Sequence, residues 1–137
     1  MSEPFRPRLR VRYGECDPQS IVFNSRYLEY FDVAMTELWR EAIGPYEESM
    51  GDLGVDMVVA EAGLRFRAPL RFDDEFELRA SIRRLGTTSM TTAIAVIKDG
   101  TTCVEGELRH VFVHQGTADK REVPDEVRAG LTPYLAD

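Results

Sequence analysis

The stretch that decides the fold is NSRYLEYFDVAMTELWREAIGP, residues 24–45. Within it Tyr27, Leu28, Phe31, Ala34, Met35, Leu38 and Ala42 recur at steps of three and four, with Glu29, Asp32, Glu37, Arg40 and Glu41 between them. That is the spacing of an amphipathic helix. Asn24 and Ser25 both suit the start and Gly44-Pro45 the stop, so the spacing predicts a helix from Asn24 or Ser25 to Ala42, about five turns. Tyr30, Val33 and Trp39 widen the apolar area beyond one stripe. Such a helix needs cover on much of its circumference, which puts it at the centre of the fold.

Around the helix the chain reads as strands. Upstream, RLRVRYGE (8–15) alternates Leu9, Val11 and Tyr13 with Arg8, Arg10 and Arg12, a half-buried strand with a basic outer face. Downstream, PYEESMG (45–51) allows a short helical turn. DMVVAEAGLRFRAPLR (56–71) then places Val58, Ala60, Ala62, Leu64, Phe66 and Ala68 on one face, ending near Pro69. EFELRASIRRL (75–85) points Phe76, Leu78, Ala80 and Ile82 inward, and TSMTTAIAVIK (88–98) does the same with Met90, Thr92, Ile94 and Val96. Asp99-Gly100 marks a tight hairpin into TCVEGELRHVFVH (102–114), followed by turn-rich QGTADKRE and a helical tail from Pro124. A strand, a long helix and four consecutive strands argue for an α+β fold: one antiparallel sheet of about five strands wrapped around one long central helix. The whole chain, 1–137, reads as one domain. Open sheet edges invite a second copy of the chain, most simply in a two-fold dimer.

Composition narrows the function classes. A formal net charge of −7 and a pI near 4.9 disfavour nucleic acid as a partner. Cys16 and Cys103 lack CxxC spacing and suit a reducing cytoplasm. The opening MSEPFRPRLR carries charge and proline where a secretory leader needs an apolar run, and no segment has the length and apolarity of a membrane span. GxSxG, P-loop and GxGxxG signatures are missing. His110 and His114 form an HxxxH, but Val111, Phe112 and Val113 between them favour a strand, where four residues span about 13 Å, too far for one ion. We therefore expect no metal site.

The chemistry concentrates in YGECDPQSIVFNSRY, residues 13–27. Asp17-Pro18 starts a turn, which holds the carboxylate on a loop beside the core. Ile21, Val22 and Phe23 lower the local polarity. The helix then begins, and its leading N–H groups near Asn24, Ser25 and Arg26 offer a place for a developing negative oxygen. Two readings stay open: a catalytic Asp17 beside oxyanion donors, or an Asp17 that caps a turn and an Asn24 that caps a helix. Glu15 reads either as part of this site or as a solvated rim charge. Cys16 reads as a small packing residue or as a nucleophile with no partner nearby in sequence.

These residues resemble a known family. YGECDPQSIVFNSRYLEYFDVAMTELW (13–39) is similar to the opening of the 4-hydroxybenzoyl-CoA thioesterase group of hotdog-fold acyl-CoA thioesterases, with an aspartate after an aromatic strand, a turn, a Val-aromatic pair and a tyrosine early in the helix. The resemblance continues through FRAPLRFDDEF, RRLGTTSM and Val123-Pro124, covering roughly residues 8–128. It implies a homodimer or dimer of dimers, active sites at the subunit interface, and CoA along the surface. Asp17 would then be the catalytic carboxylate, attacking the thioester carbon or activating a water, and the Asn24 N–H would hold the thioester oxygen. Gln19 and Ser20 stand where many members have small residues, and Asn24 where one branch has histidine.

A thioester carbonyl is electrophilic enough for a placed carboxylate and aligned dipoles, with no metal or organic cofactor beyond the CoA of the substrate. For the CoA phosphates the candidates are Arg83, Arg84 and the turn residues Thr87, Thr88 and Ser89, which read equally as a solvated strand end. Tyr27, Met57, Val58 and Phe66 are candidates to face the acyl group, and Glu61 reads as outward-facing. Two rival functions share the fold: an acyl-thioester dehydratase or hydratase, commonly using a histidine with a carboxylate, and a non-enzymatic acyl-CoA binding module.

Overall fold

The computed structural model describes residues 4–136; residues 1–3, part of the charged N-terminal stretch read above, and residue 137 lie outside that range. Its strands are β1 (Arg8–Arg10), β2 (Val55–Phe66), β3 (Glu75–Leu85), β4 (Ser89–Lys98) and β5 (Thr101–His114). Its helices are α1 (Arg26–Ala42), α2 (Tyr46–Leu53) and α3 (Asp125–Leu131). The strands form one sheet in the order β1-β3-β4-β5-β2, with every neighbouring pair antiparallel. This is the α+β arrangement expected from the grouping of the elements.

Helix α1 is the largest single contributor to the core. Tyr27, Tyr30, Phe31, Ala34, Met35, Leu38 and Trp39 are buried. Each large aliphatic or aromatic side chain removed from water in this way contributes about 1.5–3 kcal/mol. Against them the sheet presents Phe76, Leu78, Ala80 and Ile82 from β3, and Met90, Thr92, Ile94 and Val96 from β4, the inward sets predicted by alternation. Leu28 departs from the helical pattern: it is 41% exposed. The turn predicted after Pro45 is a full two-turn helix, α2, tied to α1 by a hydrogen bond from Trp39 Nε1 to Ser49 Oγ at 2.7 Å.

Two strands differ from the sequence reading, each for a local reason. The first strand stops at Arg10, and residues Tyr13–Glu15 form a 3₁₀ turn that throws Tyr13 outward, 80% exposed, edge-on to Phe72 at 5.8 Å. In β2 a bulge between Val59 and Glu61 shifts the register, so Val55, Met57 and Val59 before it share a face with Ala62, Leu64 and Phe66 after it, and of these Val55 is buried while Met57 and Leu64 pack partly against the core. Val58, expected inward, pairs with Val111 on the opposite face; Glu61 points outward beside Arg109 at 3.6 Å, as its alternation predicted. One extra residue thus inverts the first half of the strand and leaves the second half in phase.

The sheet has two edges. At β1, Arg8 and Arg10 are paired with Glu75, and Arg10 also with Asp73, which blunts that edge with charge. At the other end, β2 is hydrogen-bonded on one side only, and Val58, Val59 and Phe66 are about half exposed.

Candidate functional site

The segment between β1 and α1 folds back on itself. The Glu15 carbonyl accepts the Phe23 N–H at 2.9 Å, Cys16 bridges Val22, and the Asp17 N–H donates to Ile21 O at 2.8 Å. The turn at the tip is closed by Ser20 N–H to Asp17 O at 2.9 Å, with Pro18 in its second position. Ser20 takes the left-handed backbone conformation, φ 65°, a strained choice for a residue with a side chain. The returning arm is fixed to the β2–β3 connection by Val22 N–H to Leu70 O at 2.9 Å. A loop this heavily bonded holds its side chains in place.

Asp17 sits half-buried on that loop, and its Oδ1 accepts the Gln19 N–H at 2.8 Å. Among the described residues its second oxygen, Oδ2, accepts no hydrogen bond, and no Lys, Arg or His lies within ion-pair distance. The turn therefore orients the carboxylate while leaving one oxygen available.

The start of α1 supplies the complementary group. The N–H groups of Arg26, Tyr27 and Leu28 are taken up by the carbonyls of Phe23, Asn24 and Ser25 in a tight first turn. Among the described residues the Asn24 and Ser25 N–H groups donate to no acceptor. Ser25 occupies the cap position without a side-chain bond, so the side-chain cap expected at the helix start is not formed. Of the three amides suggested by the sequence, Arg26 is occupied, and Asn24 and Ser25 are free.

Asp17 and Asn24 line one open cleft of about 400 Å³, together with Ile21, Val22 and Tyr27 and with Phe66–Pro69 from the end of β2. Tyr27 forms a wall: its hydroxyl accepts the Leu70 N–H at 3.2 Å, and its ring stands edge-on to Tyr30 and Phe66 at 5.8 and 5.6 Å. Burial pushes the Tyr27 hydroxyl above the usual phenol range, so it stays neutral. Asp17 also borders a second hollow of about 660 Å³ on the side of Tyr13 and Phe72. Asp17 thus borders two recesses.

Phe66 and Arg67 were not singled out as a unit by sequence, because they reach the cleft from more than forty residues away through the Val22–Leu70 pairing. Arg67 is held by Glu105, its Nε 3.1 Å from Oε1, and its N–H and that of Ala68 both donate to Cys103 O. The Arg67 hydrogen bond, followed by its charge, draws the Glu105 carboxyl below its ordinary range.

The remaining candidates lie elsewhere. Arg83, at a β3 bulge, donates to Glu107 at 2.6 Å on the solvent face of the sheet. Arg84 and Thr87 border a polar hollow of about 430 Å³ with Glu122 and Arg128. The carbonyls of Thr87 and Thr88 accept the N–H groups of Val123 and Phe112, and the Ser89 carbonyl accepts that of Gly86. None of Arg83, Arg84, Thr87, Thr88 and Ser89 lines either recess at Asp17. A hollow of about 590 Å³ on the solvent face of the sheet, bordered by Arg65, Arg79 and Glu107, is likewise separate from Asp17.

His110 is buried on the core face of β5 and His114 is exposed at the strand's end, so the HxxxH residues occupy different environments. Burial, then the Glu15 and Asp17 charges, push the Cys16 thiol up, which disfavours the thiolate that a nucleophile needs. Glu15 is the larger surprise. Instead of a solvated rim charge, its side chain is 12% exposed and accepts the Tyr30 hydroxyl at 2.8 Å.

Comparison with known proteins bears on the family and the fold. The sequence profile of the thioesterase-like superfamily matches residues 11–131. The acyl-CoA thioester hydrolase YbgC of Escherichia coli O6:H1 is 28% identical over 126 residues, covering 91% of this chain and 93% of its own. A solved thioesterase-superfamily structure from Jannaschia sp. CCS1 superposes with a TM-score of 0.92 at 26% identity, covering 98% of this chain and 94% of that one. A gentisyl-coenzyme A thioesterase structure gives a TM-score of 0.84 at 28% identity, covering 93% and 99%.

Proposed function

The chain belongs to the thioesterase-like superfamily, on the hotdog fold, and from that premise we propose that it hydrolyses the thioester of a small or medium acyl-CoA at Asp17. The observation that carries the reading is that one cleft is lined both by Asp17, whose carboxylate has an unpartnered oxygen, and by Asn24, whose N–H at the helix start has no acceptor among the described residues. A thioester carbonyl oxygen on the Asn24 N–H would have its developing negative charge stabilised at the positive end of α1. Asp17 then acts in one of two ways. Its free oxygen attacks the carbonyl carbon, the CoA thiolate departs, and water cleaves the acyl-aspartyl anhydride; or it takes a proton from a water that attacks, and CoA leaves with the tetrahedral collapse. Neither route calls on a metal or an organic cofactor.

Tyr27 and Phe66 give the cleft an apolar wall for the acyl group, and Arg84, with Thr87 beside it, is the favoured phosphate contact for CoA. Arg83, Thr88 and Ser89 are secondary, since Glu107 already engages Arg83 and the Thr88 and Ser89 carbonyls are tied into the turn. The active unit is a homodimer or a dimer of dimers. What supports this is β2, a twelve-residue strand with one side unpaired and Val58, Val59 and Phe66 half exposed beside it. The two unpaired thiols, Cys16 and Cys103, suit a cytoplasmic location.

The test is incubation of the purified protein with aliphatic and aromatic acyl-CoAs, following thiol release and enoyl absorbance together. Thiol release supports the reading. Enoyl absorbance change without thiol release would assign a hydratase or dehydratase instead, and a ligand retained intact through long incubation would assign a binding module.

A further inference from the structure

We propose that Glu15 and Tyr30 form a positioning pair that sets the Asp17 carboxylate and the Asn24 amide relative to each other; the catalytic part of this inference rests on the thioesterase reading above. Glu15 lies two residues before Asp17 and is bonded in four directions. Its carbonyl accepts the N–H of Phe23, the residue preceding Asn24, at 2.9 Å. Its Oε1 accepts both the Tyr30 hydroxyl and the Arg12 N–H at 2.8 Å, and its Oε2 lies 3.4 Å from Arg12 Nε. The arm carrying Asp17 and the arm carrying Asn24 are therefore joined at one residue, and that residue is joined to the second turn of α1.

Tyr30 is the fixed end of the tether. It is 4% exposed, its ring packs at 4.8 Å on Phe76 of β3 and edge-on to Tyr27, and burial followed by the Glu15 bond keeps its hydroxyl protonated. The hydroxyl can therefore move little without moving the core. A surface loop needs no buried acid for its own sake, since a carboxylate held away from water is costly unless its acceptor capacity is used. Here it is used to set one flexible segment against the rigid helix. Two reacting groups on a single loop gain from such a tether, because a displacement of about 1 Å from the productive geometry can cost on the order of 100-fold in rate.

The experiment compares Tyr30→Phe, which deletes only the hydroxyl, with Glu15→Ala, Glu15→Gln and the Glu15→Ala/Tyr30→Phe double variant. Each is assayed for kcat and KM on the best acyl-CoA and for hydrogen exchange of the Phe23 amide by NMR. The pair predicts a kcat lowered about 10- to 100-fold in Tyr30→Phe and Glu15→Ala, with KM changed less than about threefold. It predicts a double variant no slower than Glu15→Ala, because the second change removes nothing further. Glu15→Gln, whose amide oxygen still accepts both hydrogen bonds, recovers most of the activity lost in Glu15→Ala, and Phe23 exchanges at least about tenfold faster in Tyr30→Phe at unchanged circular dichroism. Turnover within twofold of wild type in Tyr30→Phe, independent losses that multiply in the double variant, or an unchanged Phe23 amide would each overturn the pair. If wild type cleaves no acyl-CoA, the exchange arm alone decides: faster Phe23 exchange upholds the tether while the thioesterase reading falls, and unchanged exchange overturns the tether as well.

Discussion

Asp17 Oδ1 accepts the Gln19 backbone N–H at 2.8 Å, and among the described residues the other carboxylate oxygen accepts no hydrogen bond. An aspartate that only closed a turn would leave the rest of the site unaccounted for: two unoccupied amides at the start of α1, an apolar wall, and a cleft that contains the carboxylate and Asn24 together. That coincidence of groups, more than any one residue, is what supports the catalytic reading proposed above.

Tyr27 has a structural duty that can be measured on its own. Its hydroxyl is the acceptor for the buried Leu70 N–H, and Leu70 is fully buried. Tyr27→Phe leaves that donor unsatisfied and should cost about 1–2 kcal/mol in urea unfolding, with the denaturant slope unchanged. A loss below a few tenths of a kcal/mol would mean that Leu70 finds water or another acceptor.

Gly106 of β5 leaves no room for a side chain beside β2. A Cβ there would collide with the Gly63 carbonyl oxygen and stand 3.0 Å from Leu64 Cα, both backbone atoms that cannot rotate away. Gly106→Ala should destabilise the fold by about 1–3 kcal/mol, as overpacking does, and should loosen β2 first. Equilibrium unfolding with hydrogen exchange along β2 checks both; wild-type stability would show that the strands can part without cost.

Most of what the sequence predicts survives where one element decides its own fate. Phe76, Leu78, Ala80 and Ile82 alternate in β3 and are all buried, and α1 ends at Ala42 ahead of Gly44. The reading fails where a residue is inserted or where a partner comes from far away. The bulge at Ala60 inverts Val58 with no turn residue to announce it, and the 3₁₀ turn at Tyr13–Glu15 ends a strand that the alternation of Leu9, Val11 and Tyr13 would extend. Phe66 and Arg67 at the cleft, and Tyr30 on Glu15, are contacts between distant segments, and no local pattern encodes them. That Asp17 and Asn24 line one cleft was legible because both lie within one short loop.

His110 makes stability sensitive to pH in a definite window. Burial alone lowers its pKa from 6.5, so it is neutral when folded, and its Nδ1 has no hydrogen-bond partner. The unfolded chain binds the proton more tightly. Stability is therefore fully present above about pH 6.5 and falls as the pH drops from there toward the depressed folded value. The thermal midpoint should decline on acidification below pH 6.5, and His110→Leu should flatten that slope while leaving the acid transition of the carboxylates, near pH 4, in place. An unchanged slope in His110→Leu would place the effect elsewhere.

Under the proposed function, a change at Arg84 tests the CoA half of the substrate apart from the acyl half. Unlike Arg83 it has no acidic partner within ion-pair distance among the described residues. With Arg84→Ala, KM for an acyl-CoA should rise about tenfold, the scale of one charge-assisted hydrogen bond, while the same acyl group on N-acetylcysteamine, which lacks the phosphates, is unaffected. Arg83→Ala should do less. The opposite ranking would move the CoA path to the solvent face of the sheet.

The most direct test removes the charge on Asp17 and nothing else. Asp17→Asn keeps the side-chain oxygen that accepts from Gln19, so the fold and the loop should stand unchanged by circular dichroism and thermal midpoint. The account predicts that thiol release from the preferred acyl-CoA falls by at least about 100-fold, the scale of a lost nucleophile or general base. Equal turnover by wild type and Asp17→Asn across the acyl-CoA panel would contradict it.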